Sequence, residues 1–584
     1  MASISPNTKI YICRGIPFDN NYEHTRIFDI DSYQINYFLS KVKVTAADPT
    51  EKAEFLHHSY QRVNSNTIRV DMPVEKVFDC NYLVFRNADF ENKYFYAFIT
   101  EINYINNNCT EIVYELDVIQ TYMFDYDFEY CYIERQHTPR DDVFGNTVPE
   151  NLEIGDYVYK SLGKSYNNYN DFAIDIVAPY SLKVRVLDDT VPTDVTVEFE
   201  VDKQPRIGFY NGNFSGLIHN TFEIRDTREY EEGSLSYLKY PAMIDVEKAF
   251  GLLEENLKEQ IVAIYIIPKH MAVYKTDMPT NAPIVNKVIP LPSSTADVYG
   301  TYTDSDGNVH SMIKNNKLLT YPYNLLMVQD SEGKTAEYKY ELFWQIWDDG
   351  TNHNAMFKLI GTMGLPPQLM CCPHNYKPYG EDSTQITLPF NYVDNLTITQ
   401  FPMSGWATNG FREWLANKTT GLAGGLLGTM LAPGIGSVIG AGLGSFAKMS
   451  FAATAYGSVS SIPQALIAPN YAHGVDKNSL MLSLNEFGFH FYNARIKDEY
   501  ALIIDNYFTK YGYAIKRVGK PNLRARPKWT YVETKNCAIK PVDGKGINAE
   551  HMKKIEEIYD HGITFWQDDD VGNYNLDNSP ITSG

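Results

Sequence analysis

Hydrophobic and polar positions alternate through much of the first quarter of the chain. Ile68-Arg69-Val70-Asp71-Met72 keeps a period of two until Pro73 stops it, which predicts a half-buried strand. Runs from Tyr94 to Ile105 and from Thr110 to Val118 flank Asn106-Asn107-Asn108, a hairpin signal. In the second run Ile112, Tyr114, Leu116 and Val118 fall on one face, and Glu111, Glu115 and Asp117 on the other. That pattern predicts an antiparallel sheet with one wet face. From Thr138 to Asp156 the chain turns polar and is punctuated by Pro and Gly, so a first domain is expected over 1–156.

Residues 157–404 read as a mixed α/β region. Val246, Phe250, Leu253 and Leu257 recur at helical spacing after Asp245, a candidate N-cap. Ile261 to Ile267 is a short buried-strand run that ends at Pro268. Asp304-Ser305-Asp306-Gly307-Asn308 invites a calcium reading. An EF-hand loop needs Gly at its sixth position and Glu at its twelfth, where this chain has Val309 and Asn315. A hairpin turn at Asp306-Gly307 fits better.

The periodicity then disappears. Between Lys418 and Asp476 only Lys448 is charged, and nine glycines fall between Thr419 and Ser450. At roughly 1 kcal/mol lost per Gly relative to Ala, they cost a helix about 9 kcal/mol in water. In a bilayer every unpaired backbone group costs several kcal/mol, which forces helix formation. Leu422, Leu426, Leu427, Met430, Leu431, Ile435, Val438, Ile439, Leu443 and Phe446 supply lipid-compatible surface. Gly436, Gly440 and Gly444 repeat every four residues, the spacing that lets apolar helices approach closely. Pro433-Gly434 cuts the run into pieces of roughly 21 Å as helix, too short to cross a ~30 Å hydrocarbon core singly. Residues 405–478 are read as a conditionally membrane-active loop, with a buried Gly/Ala-rich packing element as the other reading.

Composition narrows the class. The 584 residues carry a formal charge of −21, which opposes general nucleic-acid binding, and 14% aromatic content favours sheets. The seven cysteines (13, 80, 109, 131, 371, 372, 537) have no paired spacing, which fits synthesis in a reducing cytosol. No secretory signal is expected from Met1-Ala2-Ser3-Ile4-Ser5-Pro6-Asn7. Catalytic signatures are missing. Ser445-Phe446-Ala447-Lys448 lacks the companion motifs of a Ser-x-x-Lys enzyme, and Cys371-Cys372-Pro373-His374 lacks the gap of a metal site. His57-His58 reads as a polar edge. No enzyme, metal or cofactor is expected.

The last domain, 479–584, contains a cationic strip. No acidic residue occurs from Asn506 to Val532, whereas Lys516, Arg517, Lys520, Arg524, Arg526 and Lys528 are basic and interleave with aromatics. Such a strip can hold single-stranded nucleic acid. In a chain this acidic it also reads as a docking surface for an acidic neighbour, and the residues alone leave both open.

Five stretches carry a resemblance: PFDNNYEHTR (17–26), NADFENKYFYAFITEINY (87–104), YELDVIQTYMFDYDF (114–128), KYGYAIKRVGKPNLRARPKWTYVETKNCAI (510–539) and HGITFWQDDDVGNY (561–574). The chain resembles the distal tail, or tail knob, proteins of phi-29-type short-tailed phages of Gram-positive bacteria. The resemblance covers the first ~135 and last ~95 residues and leaves roughly 160–400 unmatched. It implies a mainly β protein whose N- and C-terminal segments build tandem β-barrels around a lumen. It implies a homohexameric tube at the virion's distal tail, bound to other tail proteins. The apolar loops would plug the lumen and then enter host membrane lipid, so that viral DNA passes without sequence-specific binding. A secreted pore-forming toxin would share a stowed apolar segment, but with amphipathic hairpin strands. A tail-associated cell-wall hydrolase would need a catalytic cleft.

Overall fold

The structure is a computed structural model. It describes residues 9–42, 55–56, 62–64, 66–86, 91–139, 147–168, 171–187, 196–202, 217–225, 227–231, 234–258, 260–272, 284–343, 354–364, 366–376, 396–399, 401, 482 and 486–579. The chain folds as two compact units. Unit 1 gathers 1–155, 294–323 and 496–584; unit 2 gathers 156–293 and 324–495.

Unit 1 is organised by a seven-stranded sheet in which Lys9–Arg14, Cys80–Arg86, Tyr94–Asn106 and Cys109–Leu116 are consecutive neighbours. The hairpin falls where the alternation placed it, with Asn106 paired to Cys109 across Asn107-Asn108. Thr67–Val70 lies beside Cys109–Leu116, and Arg69 faces Glu111 with Nε 3.0 Å from the carboxylate. The expected wet face runs along Cys109–Leu116, where Glu111, Val113 and Glu115 stay half-exposed, and is most open at the hairpin's outer end, where Glu101, Asn103 and Tyr104 are exposed. Near the start of Tyr94–Asn106 both faces are covered, with Phe95 to Phe98 all buried. Ile12, Leu83, Phe85 and Phe95 enter one core, and Tyr82, Val84, Tyr96 and Phe98 the other. The second core is closed by a helix the alternation did not predict, Asp31–Ser40, whose buried Gln34 and Phe38 sit one turn apart. The Phe38 ring lies 5.0 Å from Tyr82 and 4.6 Å from Tyr96. Strand also ends earlier than Val118. Asp117 accepts the Gln120 N–H at 3.0 Å and caps the short helix Val118–Tyr122, so this carboxylate is buried rather than wet.

The C-terminal residues complete unit 1. A five-stranded sheet runs in the order Thr25–Arg26, Ile563–Trp566, Trp529–Lys535, Cys131–Gln136, Tyr513–Gly519. N-terminal and C-terminal segments therefore share one sheet, with Thr25 paired in parallel to Phe565. Trp529 and Trp566 are fully buried, their ring centres 5.0 Å apart. Helices Asp498–Tyr511 and Ala549–His561 belong to the same unit. Each sheet has a linear strand order with two edges, and no closed barrel forms among the described residues.

Unit 2 is strand-rich. Phe172–Ala178, buried along its whole length, runs between Ile218–Glu223 and Ala263–Pro268. The latter is the buried run that Pro268 ends. Helix Met243–Leu252 is present, but Asp245 is at its third position instead of its cap. Asp245 accepts the Ala242 N–H at 3.0 Å and a two-pronged contact from Arg228 at 2.9–3.0 Å. Helical spacing stops at Leu253, and Leu257 falls in a separate turn, Glu255–Lys258; both are buried.

Candidate docking surface

The cationic strip begins on Tyr513–Gly519, an edge strand. Gly512 enters it with φ +64, and an added Cβ would lie 2.5 Å from His137 N, so this position demands glycine. The register against Cys131–Gln136 then slips. Ile133 faces Arg517 and Arg135 faces Ala514, leaving one extra residue on the edge strand. Lys516 adopts φ +51 at that bulge. A bulge re-aims side chains and twists an edge, and here Lys516, Arg517 and Val518 are all exposed.

The two halves of this edge differ. At its start Ala514 is covered, because Val148 N–H donates to its carbonyl at 3.1 Å and Glu150 accepts its N–H at 3.0 Å. Glu150 also pairs with Arg135, which lies 4.7 Å over the Tyr507 ring and donates to Gly512 O at 2.8 Å. Beyond the bulge, among the described residues, no strand covers Lys516–Gly519. Exposed Val518 and Tyr130 lie on this side, with Lys520 Nζ 5.9 Å from the Tyr130 ring. Glu134 sits between Lys516 at 3.7 Å and Lys535 at 3.3 Å.

The remaining strip residues turn elsewhere. Arg524 pairs with Asp29 at 2.6 Å and Lys528 with Asp568 at 2.5 Å, which raises the ammonium pKa and lowers that of the carboxylate. Arg526 is buried and reaches the Asn578 carbonyl at 3.4 Å, anchoring the C-terminal segment. The strip is thus three things: an outward group (Lys516, Arg517, Lys520), two locally paired cations, and one internal tether. Its acidic partners Asp29, Glu134 and Asp568 are far away in sequence or beyond the strip, so composition gave no sign of them. The exposed Tyr130 was likewise missed.

The apolar loop residues Leu422, Leu426, Leu427, Met430, Leu431, Pro433, Gly434, Ile435, Gly436, Val438, Ile439, Gly440, Leu443, Gly444 and Phe446 lie outside the described residues, as do His57-His58 and Ser445-x-x-Lys448. Among the described residues no helix is long and apolar enough to cross a membrane, and no cluster of three metal-ligating side chains occurs. Cys371 and Cys372 are buried, with thiol pKa values raised mainly by burial. Asp306-Gly307 is a hairpin turn: Asp304 accepts the N–H of Asp306 at 2.9 Å and of Asn308 at 2.8 Å.

Two family descriptions match the chain: "Bacillus phage phi29, Tail knob protein gp9, C-terminal domain" over residues 292–579, and "Caudoviral major tail protein N-terminus" over 6–127. The tail knob protein gp9 of Bacillus phage phi29 is 26% identical over 622 aligned positions, covering 98% of each chain. Its counterpart in Bacillus phage PZA is also 26% identical, again with 98% coverage of both. The solved tail knob protein gp12 of bacteriophage C1 shares the fold, with a TM-score of 0.53 at 13% identity over 96% of this chain and 97% of that one. Together with the β-rich fold, these likenesses define a structural component of a phage tail rather than an enzyme. Over nearly its whole length the chain is similar to the tail knob proteins of phi29-type phages, a likeness that places it in the virion tail.

Proposed function

We propose that six copies of this chain form the distal tube of the tail, through which viral DNA leaves the virion. The single observation that carries this reading is a near-neutral, Gly-rich apolar loop within an otherwise acidic chain that resembles tail knob proteins from end to end. The loops plug the lumen, then leave it and enter the host membrane as packed helices, with Gly436, Gly440 and Gly444 as the seam. Six copies at −21 each carry about −126, and like-charge repulsion keeps DNA from adhering to the wall.

Open sheets in one copy support a ring, because an exposed edge strand must be paired or covered to avoid aggregation. Closure of the β-barrels then comes from neighbouring copies. Lys516, Arg517 and Lys520 beside the uncovered edge dock on an acidic neighbour, a second copy or another tail protein. The native mass of the purified chain tests the ring: six copies support it, and a monomer at micromolar concentration contradicts it.

A further inference from the structure

The seven cysteines look unrelated in sequence, but the fold brings two of them together. Cys131 opens the strand Cys131–Gln136, and Cys537 follows the strand Trp529–Lys535 that pairs with it. The register runs Tyr132 to Lys535 on one side of the pair. On the other side Phe128 faces Ile539, and Glu129 N–H donates to Ala538 O at 2.9 Å. Both cysteines therefore lie in one stretch of two antiparallel segments held at sheet spacing. Counting along that register sets Asn536 opposite Cys131 and Tyr130 opposite Cys537, so the two cysteines are diagonal neighbours; one residue of offset at sheet spacing leaves Cα atoms roughly 6 Å apart, within the range that a disulfide spans. Between Lys535 and Cys537, Asn536 takes φ +54, which breaks the alternation that would otherwise set Cys537 on the face opposite to Cys131. Both are buried, and each thiol is among the groups that shift the pKa of the other.

The other five cysteines are not so arranged. Cys13 and Cys80 come from paired strands but enter different cores on opposite faces of their sheet. Cys371 and Cys372 are sequence neighbours on one strand, so their side chains point to opposite faces. Cys109 stands at the hairpin tip, half-buried.

We infer that Cys131 and Cys537 form a latent redox staple, reduced when the chain folds in the cell and oxidised to a disulfide once the virion is outside it. The chemistry needs a two-electron oxidant, here a small-molecule disulfide. The thiolate of one cysteine attacks the reagent and releases one small thiol. The second cysteine then attacks the protein sulfur of that mixed disulfide and releases the other small thiol, so two protein thiols lose two protons and two electrons. Burial pushes the Cys537 thiol up to about 12 and raises that of Cys131, so both remain thiols at neutral pH and the exchange is slow. The bond would join the N-terminal and C-terminal parts of unit 1 directly, whatever the residues between them do.

The test uses the intact folded chain, equilibrated for a day with excess oxidised glutathione at pH 8.5, blocked with N-ethylmaleimide and mapped by mass spectrometry. The expected product is a Cys131–Cys537 linkage that migrates faster on a non-reducing gel and disappears in Cys131→Ser and in Cys537→Ser. Both thiols recovered as maleimide adducts, or joined to other cysteines, overturn the staple. The wild-type map decides even if a variant fails to fold, and neither result touches the tail-knob reading.

Discussion

Tyr82 donates its hydroxyl proton to Asp117 Oδ2 at 2.8 Å in a site where both residues have no solvent exposure. Asp117 also accepts the Gln120 N–H, yet burial outweighs these donors and pushes its carboxyl up to about 6. A carboxyl whose folded pKa exceeds its unfolded value favours the folded state most when protonated. Its contribution is full below about pH 4 and is lost as pH rises through 6. Asp117→Asn should remove that dependence. The difference in urea midpoint between wild type and variant should change between pH 4 and 6.5 and then level off; a constant difference would mean that Asp117 titrates normally.

His137 acts in the opposite direction. Its Nδ1 accepts Tyr531 N–H at 2.9 Å and its Nε2 donates to Thr509 O at 3.2 Å, a neutral ring with both nitrogens used. Burial first, then the nearby Arg526 and Arg135 charges, push its pKa down to about 3. The stability it contributes is present above pH 6.5 and is lost as pH falls toward 3. His137→Gln should flatten the acid limb of the stability curve across that window, and the His137 imidazole resonances of the wild type should not titrate at pH 5.

Glu150→Ala should be severe. It leaves the buried Arg135 charge without its partner and uncovers the Ala514 N–H. Breaking one side of a buried pair typically costs about 3–5 kcal/mol. Denaturant unfolding of the isolated chain checks this, and a loss below about 1 kcal/mol would place the pair in solvent.

The cationic strip divides into an outward group and an inward tether, and the two should fail differently. Arg517→Glu with Lys520→Glu should weaken assembly while leaving thermal unfolding nearly unchanged, because both side chains are exposed. Arg526→Glu should lower the thermal midpoint itself, since it puts a carboxylate into a buried site beside the Asn578 carbonyl. Sedimentation and melting measured on the same samples separate the two outcomes.

Local pattern made some of this legible and left the rest hidden for identifiable reasons. The 94–116 hairpin was readable because alternation and the Asn run agree with each other. Asp117 was misread because the alternation continues through Val118, although a buried Tyr82 is there to pair with it. Helix Asp31–Ser40 buries only Gln34 and Phe38, too few positions to set up a visible period. Arg526 looks the same as Arg517 in sequence; what separates them is the Asn578 segment on one and an open edge beside the other. The return of residues 294–323 to unit 1 and the approach of Cys131 to Cys537 depend on contacts across long stretches of chain, which no local period encodes.

The apolar loop is the central claim, and dye release from anionic liposomes tests it most directly. The intact protein should release dye once the loop is freed by low pH or by contact with the anionic surface itself. A variant lacking residues 419–468 should keep its native mass as a hexamer and release none. Gly440→Glu should come close to that loss, since a charge at the helix seam costs about 2.5–3.5 kcal/mol on insertion. Equal dye release by the intact chain and the deletion variant would contradict the membrane role of this loop.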